Sequence, residues 1–277
     1  MQPDRAPNDE FATASLGVFR AAVDLVDRSI RDIRTVWSGF LLTVDQLITR
    51  IRTELDESWW GQVIEWFTDD VADVLHGIER SLADARAKVS EVLDRLEQAV
   101  IGSPPVESLF TVGLDWSVTV NTGLSRIVPE VRQSGGIDSW HGPARETYLT
   151  REQEQENATD HVTSAVKELS IWLSRVGLAN VQFIGKLFDQ AGLVIEKIVE
   201  MTADVSVAAH SGDLLSGQEA INDLTSALGR FASNIIGYLT ALGTRLAEVV
   251  GMITAVAATH SDYRAFPDAH WPRAVKA

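Results

Sequence analysis

The sequence predicts an all-α protein, an elongated bundle of about five long antiparallel helices. Apolar residues recur at alternating gaps of three and four over stretches of about 40 residues, the pattern of a helix that buries one apolar stripe. Short runs rich in glycine, serine or proline separate these stretches. One short run alternates with the period of a strand, but no second strand-like run could pair with it.

The first part of the chain, residues 1–101, predicts an antiparallel pair of helices. An apolar stripe without any proline predicts a helix over Ala12–Asp56, and a second stripe predicts a helix over Gln62–Val100. The chain then reads Gly-Ser-Pro-Pro at Gly102–Pro105. Glycine followed by proline is typical of a helix end, so we predict a break there.

Residues 106–209 predict a second helical pair. The run Leu109–Val131 fits both a strand and a helical stripe. Because a lone strand would leave its backbone hydrogen bonds unmade, we predict a helix. Gln133–Gly136 ends this helix, and a long stripe follows Pro143, a residue that suits the first turn of a helix.

A fifth helix is predicted over residues 213–262, after a break in the sequence His-Ser-Gly-Asp. Residues 263–277 form a tail that contains two prolines and the aromatic residues Tyr263, Phe266 and Trp271. Aromatic residues flanked by prolines can anchor a tail in a groove of a bundle, or they can form a peptide that binds a partner. We favour the anchor.

Composition excludes several classes of function. The chain has 277 residues, a net charge of −15 and no cysteine. This charge argues against binding to nucleic acid, and the missing cysteines exclude disulfides, thiol nucleophiles and cysteine metal sites. The longest dense apolar stretch, Val249–Ala258, is far shorter than the ~20 residues of a membrane span. The first ten residues do not resemble a general secretory signal.

The sequence predicts neither an enzyme nor a bound cofactor or metal. Asp73 and His76 have the spacing of ligands in di-metal helical bundles, but His161 has Ala158 three residues before it, so the second copy of the pattern is missing. We therefore interpret the first copy as a solvated acidic face. No glycine-rich phosphate loop, serine nucleophile elbow or His-Glu-x-x-His motif occurs.

A short motif occurs at both predicted bends. Ser-Trp-Trp-Gly contains Trp59 and Gly61, and Ser-Trp-His-Gly contains Trp140 and Gly142. A large indole can cover the open end of a helical pair, and glycine permits a left-handed backbone where the chain reverses. A third Trp-x-Gly begins at Trp37, inside an apolar stripe, and we interpret it as chance.

The second bend carries a resemblance to a known family. The pattern Trp-x-Gly-x-Ala-x-x-x-Tyr, which begins at Trp140 and ends at Tyr148, resembles the Trp-x-Gly helical hairpins exported by type VII (ESX) secretion systems. The resemblance covers residues 107–180 and, less specifically, residues 12–100, where Val63 replaces the small residue. It implies two hairpins plus a C-terminal helix, and the composition is similar to that of high-GC bacteria such as actinobacteria.

The family's export signal, Tyr-x-x-x-Asp/Glu after the second helix, is not found in its usual place. Tyr148 and Glu152 have the spacing, but they lie at the start of a predicted helix. The acidic residue nearest to Tyr263 is Asp268, one position too late. We expect either a partner that carries the signal or no export.

Two functions follow as expectations. In the first, the chain is a non-enzymatic binding and structural protein of type VII secretion, secreted or in the cell envelope, that assembles with another helical-hairpin protein or with itself. In the second, it is a cytoplasmic acidic chaperone or immunity protein that masks a basic toxin. We expect the first and keep the second as the alternative, which the net charge and the missing export signal support.

Overall fold

The computed structural model describes residues 7–57, 68–132 and 139–260, and all regular secondary structure in these ranges is helical, without a strand. The all-α class is therefore confirmed, while the count of about five helices and their pairing as hairpins stay predictions. In chain order the elements are α1 (Pro7–Glu57), α2 (Thr68–Ile101), α3 (Ser103–Asp115), a π-helical segment (Trp116–Val120), α4 (Asn121–Arg132), α5 (Pro143–Ser211) and α6 (Leu214–His260).

The run with two possible periodicities is helical, as predicted. It is not one uniform helix, because the π-helical segment Trp116–Val120 separates α3 from α4. A π turn is wider than an α turn, so it changes which residues share a face. This irregularity lies within the run whose spacing fitted both a strand and a helix.

The predicted break after α2 is confirmed, although the helical backbone resumes at once. α2 ends at Ile101 and α3 begins at Ser103. The N–H of Gly102 donates to the carbonyl of Gln98 at 2.9 Å. The two prolines that follow lie in the first turn of α3, where a missing N–H leaves no helical hydrogen bond unmade.

The break between α5 and α6 is also confirmed, and both helix ends are capped. Gly212 has φ +75°, and the N–H groups of Gly212 and Asp213 donate to the carbonyl of Ala208 at 2.9 and 3.2 Å. The Asp213 carboxylate accepts hydrogen bonds from the hydroxyl of Ser216 at 2.7 Å and from its backbone N–H at 3.2 Å. These bonds hold the pKa of Asp213 below its ordinary value, and the bond from the Ser216 hydroxyl has the largest effect.

Contacts divide the chain into two compact units, and each is drawn from separate stretches of sequence. The predicted division into residues 1–101, 106–209, 213–262 and 263–277 stays a prediction. One unit comprises Met1–Arg20, Pro104–Val181 and Leu242–Ala277, and the other comprises Ala21–Ser103 and Gln182–Ala241.

In the second unit, α1 and α2 are antiparallel. An ion pair joins Arg34 to Glu97, and Arg52 lies 3.5 Å from Glu79. As the residue number rises on α1 it falls on α2, which is the mark of antiparallel helices. All four side chains are substantially exposed, so these pairs contribute little to stability.

Three further contacts place α5 and α6 in the same unit. Asn222 of α6 accepts a hydrogen bond from Ser81 of α2 at 2.5 Å. The Asn234 side chain of α6 donates to Gln190 of α5 at 3.1 Å. Arg50 of α1 donates to a main-chain carbonyl at the end of α5. The four helices surround an apolar core whose largest fully buried side chains are Ile33, Phe40, Leu47, Ile78, Leu96, Leu187, Ile198, Ile221, Leu224 and Leu228.

In the first unit, aromatic packing joins α1, α3 and α5. Phe110 of α3 is 1% exposed, and its ring centroid lies 5.9 Å from that of Phe19 on α1. A Cβ atom at Gly177 of α5 would overlap the Phe110 ring, so the missing side chain permits the approach. The hydroxyl of Ser170 on α5 donates to the carbonyl of Gly113 at 3.0 Å.

The long stripe predicted for α5 is only partly buried. From Val166 to Val205 most of its positions are buried, whereas Tyr148 and Gln155 near its start are half-buried. The first part of α5 therefore lacks the neighbours that cover the rest.

Within the described ranges, no helix contains a stretch that is both long and apolar enough to cross a membrane.

Candidate functional site at the start of α5

The turn into α5 depends on a glycine. Gly142 has φ +87°, the left-handed conformation that the sequence analysis allowed for this position and that other residues rarely adopt. Its carbonyl accepts hydrogen bonds from the N–H groups of Arg145 at 3.0 Å and Glu146 at 3.4 Å. Pro143, with its fixed φ, begins the helix.

Trp140 lies against the first turns of α5. Its ring centroid is 6.0 Å from that of Tyr148, with an angle of 67° between the planes, an edge-to-face arrangement. Trp140 is 49% exposed and Tyr148 is half-buried. The indole therefore packs on the helix that follows the turn and presents much of its surface to solvent.

Charged side chains lie on the first turns of α5, the helix that carries Tyr148. Arg145 is half-buried, and its Nε atom has no hydrogen-bond partner among the described residues. Arg151 forms an ion pair with Glu154 at 2.6 Å. Glu152 is half-buried on the same helix. Charged side chains of this kind can orient a polar or charged ligand.

Further exposed apolar side chains occur on both sides of this turn in the sequence. We call residues 115–127 and 139–157 the unburied segment, because none of them whose burial the structure describes is buried. The large apolar side chains exposed here are Val118 (44%), Ile127 (42%), Trp140 (49%) and Leu149 (38%). The next residue along α5, Ala158, is fully buried.

The structure brings four of the predicted site residues together at the start of α5. These are Trp140, Gly142, Tyr148 and Glu152. The others lie outside the described residues, and they are Trp59 and Gly61 at the first bend and Tyr263, Phe266 and Trp271 in the tail.

The third Trp-x-Gly lies inside a helix. Trp37 is a half-buried residue of α1 and stacks on Phe40 with ring centroids 5.2 Å apart. Trp37 therefore packs within α1, and this third Trp-x-Gly does not form a turn.

Acidic residues and histidines do not gather into a metal centre in the described part of the chain. No group of three or more potential ligands lies close enough there to hold an ion. His76, the histidine of the di-metal spacing, is largely exposed and lies 3.7 Å from Glu79 of its own helix.

Sequence reasoning missed some residues that matter. Phe110 is outside the apolar stripe predicted for its helix, yet it is one of the most buried side chains. The hydrogen bond between Gln190 and Asn234 joins a buried position of α5 to an exposed position of α6. The only local signal for such a pair is an amide side chain among apolar neighbours, and a sequence does not show which helix faces it.

Comparison of the chain with protein-family models, with curated proteins and with solved structures finds no match in any of the three. The function must therefore be inferred from the chain's own residues and their geometry.

Proposed function

We propose that this chain is a non-enzymatic helical protein that acts by assembly, and that it belongs to the type VII secretion route. The observation that carries the proposal is the exposed Trp140 ring packed on Tyr148 across the turn at the left-handed Gly142. This arrangement supports the Trp-x-Gly resemblance, because the motif forms a turn at the start of a long helix. The two-hairpin arrangement with an additional C-terminal helix is part of this proposal.

The unburied segment is the surface through which assembly would occur. Its exposed apolar side chains leave surface whose burial against another helix contributes about 25 cal/mol per Å². A helical-hairpin protein or a second copy of the chain has the elongated apolar face that would cover it.

An arginine in place of Leu149 tests this surface. Leu149→Arg places a charge on the exposed face, so self-association measured by sedimentation should weaken at least about tenfold, or ~1.4 kcal/mol. Leu42→Arg is the matched control, because Leu42 is 66% exposed on α1. Equal effects of the two substitutions, or none of either, would refute assembly of copies through this face.

The export route is tested by locating the chain in its own host. Culture filtrate, envelope and cytosol are compared with and without the type VII secretion ATPase. Appearance outside the cell only when the ATPase is present supports the route, and would make a co-secreted partner the carrier of the export signal. Retention in the cytosol in both strains contradicts it.

One observation favours a second candidate, a cytoplasmic acidic chaperone or immunity protein. The net charge of −15 would attract a basic partner. A complex with a basic toxin that forms inside the cell and weakens steeply with added salt is the expected result. A complex insensitive to salt would argue against this candidate.

A further inference from the structure

The apolar stripe of α5 is uncovered at the beginning of the helix and largely buried further along it. None of the 15 residues Pro143–Asn157 is buried, whereas Ala158 and Thr159 are almost completely inaccessible to solvent. Leu149, 38% exposed, lies on this stretch, and Trp140, 49% exposed, lies just before it and packs on its Tyr148. Uncovered helix surface beside a well-packed part of the same stripe is available for another segment to pack against.

The end of α6 is directed toward this stretch. α5 and α6 are antiparallel where they meet, because Gln190 accepts a hydrogen bond from Asn234, and Lys186 lies 5.3 Å from the ring centroid of Tyr238. Each is one continuous helix. The C-terminal end of α6 therefore points the same way as the N-terminal end of α5, and both ends belong to the same compact unit.

The chain continues beyond α6 for long enough to reach the start of α5. Residues 261–277 lie outside the described residues, and 17 extended residues span at most about 60 Å. The stretch Pro143–Asn157 is about 22 Å long. These 17 residues are therefore long enough to run along the whole of Pro143–Asn157.

The composition of residues 261–277 suits the unburied segment. They contain Tyr263, Phe266 and Trp271, together with two prolines that restrict the backbone and reduce the entropy lost on docking. They carry three basic and two acidic residues, whereas Pro143–Asn157 carries two basic and four acidic residues. The two segments therefore carry net charges of opposite sign, and the aromatic side chains of residues 261–277 can pack against Trp140 and Leu149.

We propose that residues 261–277 dock on the unburied segment of the same chain, with Phe266 and Trp271 covering the face around Trp140 and Leu149. Tethering gives the tail an effective concentration in the millimolar range, which favours it over the tail of another copy. A partner that binds this face must displace the tail. The inference does not depend on the route of export, because the tail would cover the face in any compartment.

Engineered cysteines test the docking directly, because the chain has none of its own. Leu149→Cys is combined with Ala274→Cys in the full chain and treated with a short thiol cross-linker. Val207→Cys with Ala274→Cys is the matched control. Val207 is 67% exposed but lies 58 residues further along α5, about 87 Å away.

We expect an intramolecular cross-link for the Leu149 pair at a several-fold higher yield than for the control pair. A cross-link mainly between two chains would overturn the proposal in favour of exchange between copies. Equal yields for the two pairs would overturn it as well.

Hydrogen exchange of the full chain provides an independent reading. The double substitution Phe266→Ala and Trp271→Ala should increase amide exchange several-fold in Pro143–Asn157 and leave residues 182–211 unchanged. Unchanged exchange in both stretches would contradict the proposal even if the cross-link forms.

Discussion

Trp140 is a surface residue with a local structural role. Its ring packs edge-to-face on Tyr148 in the first turns of α5, and about half of the side chain is exposed. The loss of ~3–5 kcal/mol expected for a buried ring therefore does not apply to it. The left-handed conformation of Gly142 fixes the direction in which the indole leaves the turn.

Substitution of Trp140 should be mild compared with substitution of a buried ring. Trp140→Ala removes one aromatic pair, so we expect the free energy of unfolding to fall by about 0.5–1.5 kcal/mol. Phe110→Ala empties a buried position and should lower it by about 3–5 kcal/mol. Denaturant titration measures both, and equal losses would contradict the exposure of Trp140.

The charge on Asp213 should make the start of α6 dependent on pH. Its lowered pKa means that the carboxylate stabilises the folded state above the ordinary aspartate pKa of about 3.9, and that this stabilisation is lost as the pH falls through the folded-state value. Asp213→Ala removes the cap and should lower the melting temperature at pH 7, and the difference from wild type should shrink as the pH is lowered below about 4.

Asp223→Ala serves as the control for Asp213→Ala, because Asp223 is an exposed residue inside α6. It also removes one negative charge from an acidic chain, but it removes no helix cap. A similar pH dependence for both variants would show that net charge, and not the cap, is responsible.

At the scale of elements, close packing depends on individual positions along a helix. Gly177 and Gly185 lie on α5, but an added Cβ would overlap the Phe110 ring at the first and meets no atom within 4 Å at the second. The same substitution should therefore have opposite effects at the two positions.

Gly185→Ala should raise the free energy of unfolding by up to about 1 kcal/mol, because alanine favours helix more than glycine does. Gly177→Ala should lower it by about 1–3 kcal/mol, because the overlap with a buried ring outweighs this gain. Phe110→Leu in the Gly177→Ala background should restore part of the loss. Additive losses in the double variant, measured by denaturant titration, would contradict direct contact between the two residues.

At the scale of the whole molecule, the dominant long-range term is repulsion between negative charges. The chain carries 39 acidic and 24 basic side chains. Ion pairs between helices, such as Arg34–Glu97 and Arg52–Glu79, are exposed and contribute little. Screening should therefore remove more repulsion than attraction.

We expect the melting temperature to rise when sodium chloride is increased from about 20 to about 200 mM, where the Debye length falls below about 10 Å. Calorimetry at pH 7 measures the change, with an uncharged osmolyte at equal osmolality as the control. A lower melting temperature in salt would show that the ion pairs outweigh the net charge.

Sequence by itself determined the helical class and the places where helices end. Apolar spacing of three and four is a property of one helix, and the glycines and prolines at Gly102–Pro105 and Gly142–Pro143 act on their own backbone, so neither signal requires knowledge of the neighbours. The residues of the candidate turn were identified in the same way.

Only the tertiary structure decided which parts of each apolar stripe are buried. Burial depends on what another helix presents, so the half-buried start of α5, the exposed ring of Trp140 and the buried Phe110 could not be read from their own spacing. The contact between Phe110 and Gly177 joins residues 67 positions apart, and no local pattern specifies such a pair. For the same reason, the surface proposed for binding emerged only from the structure.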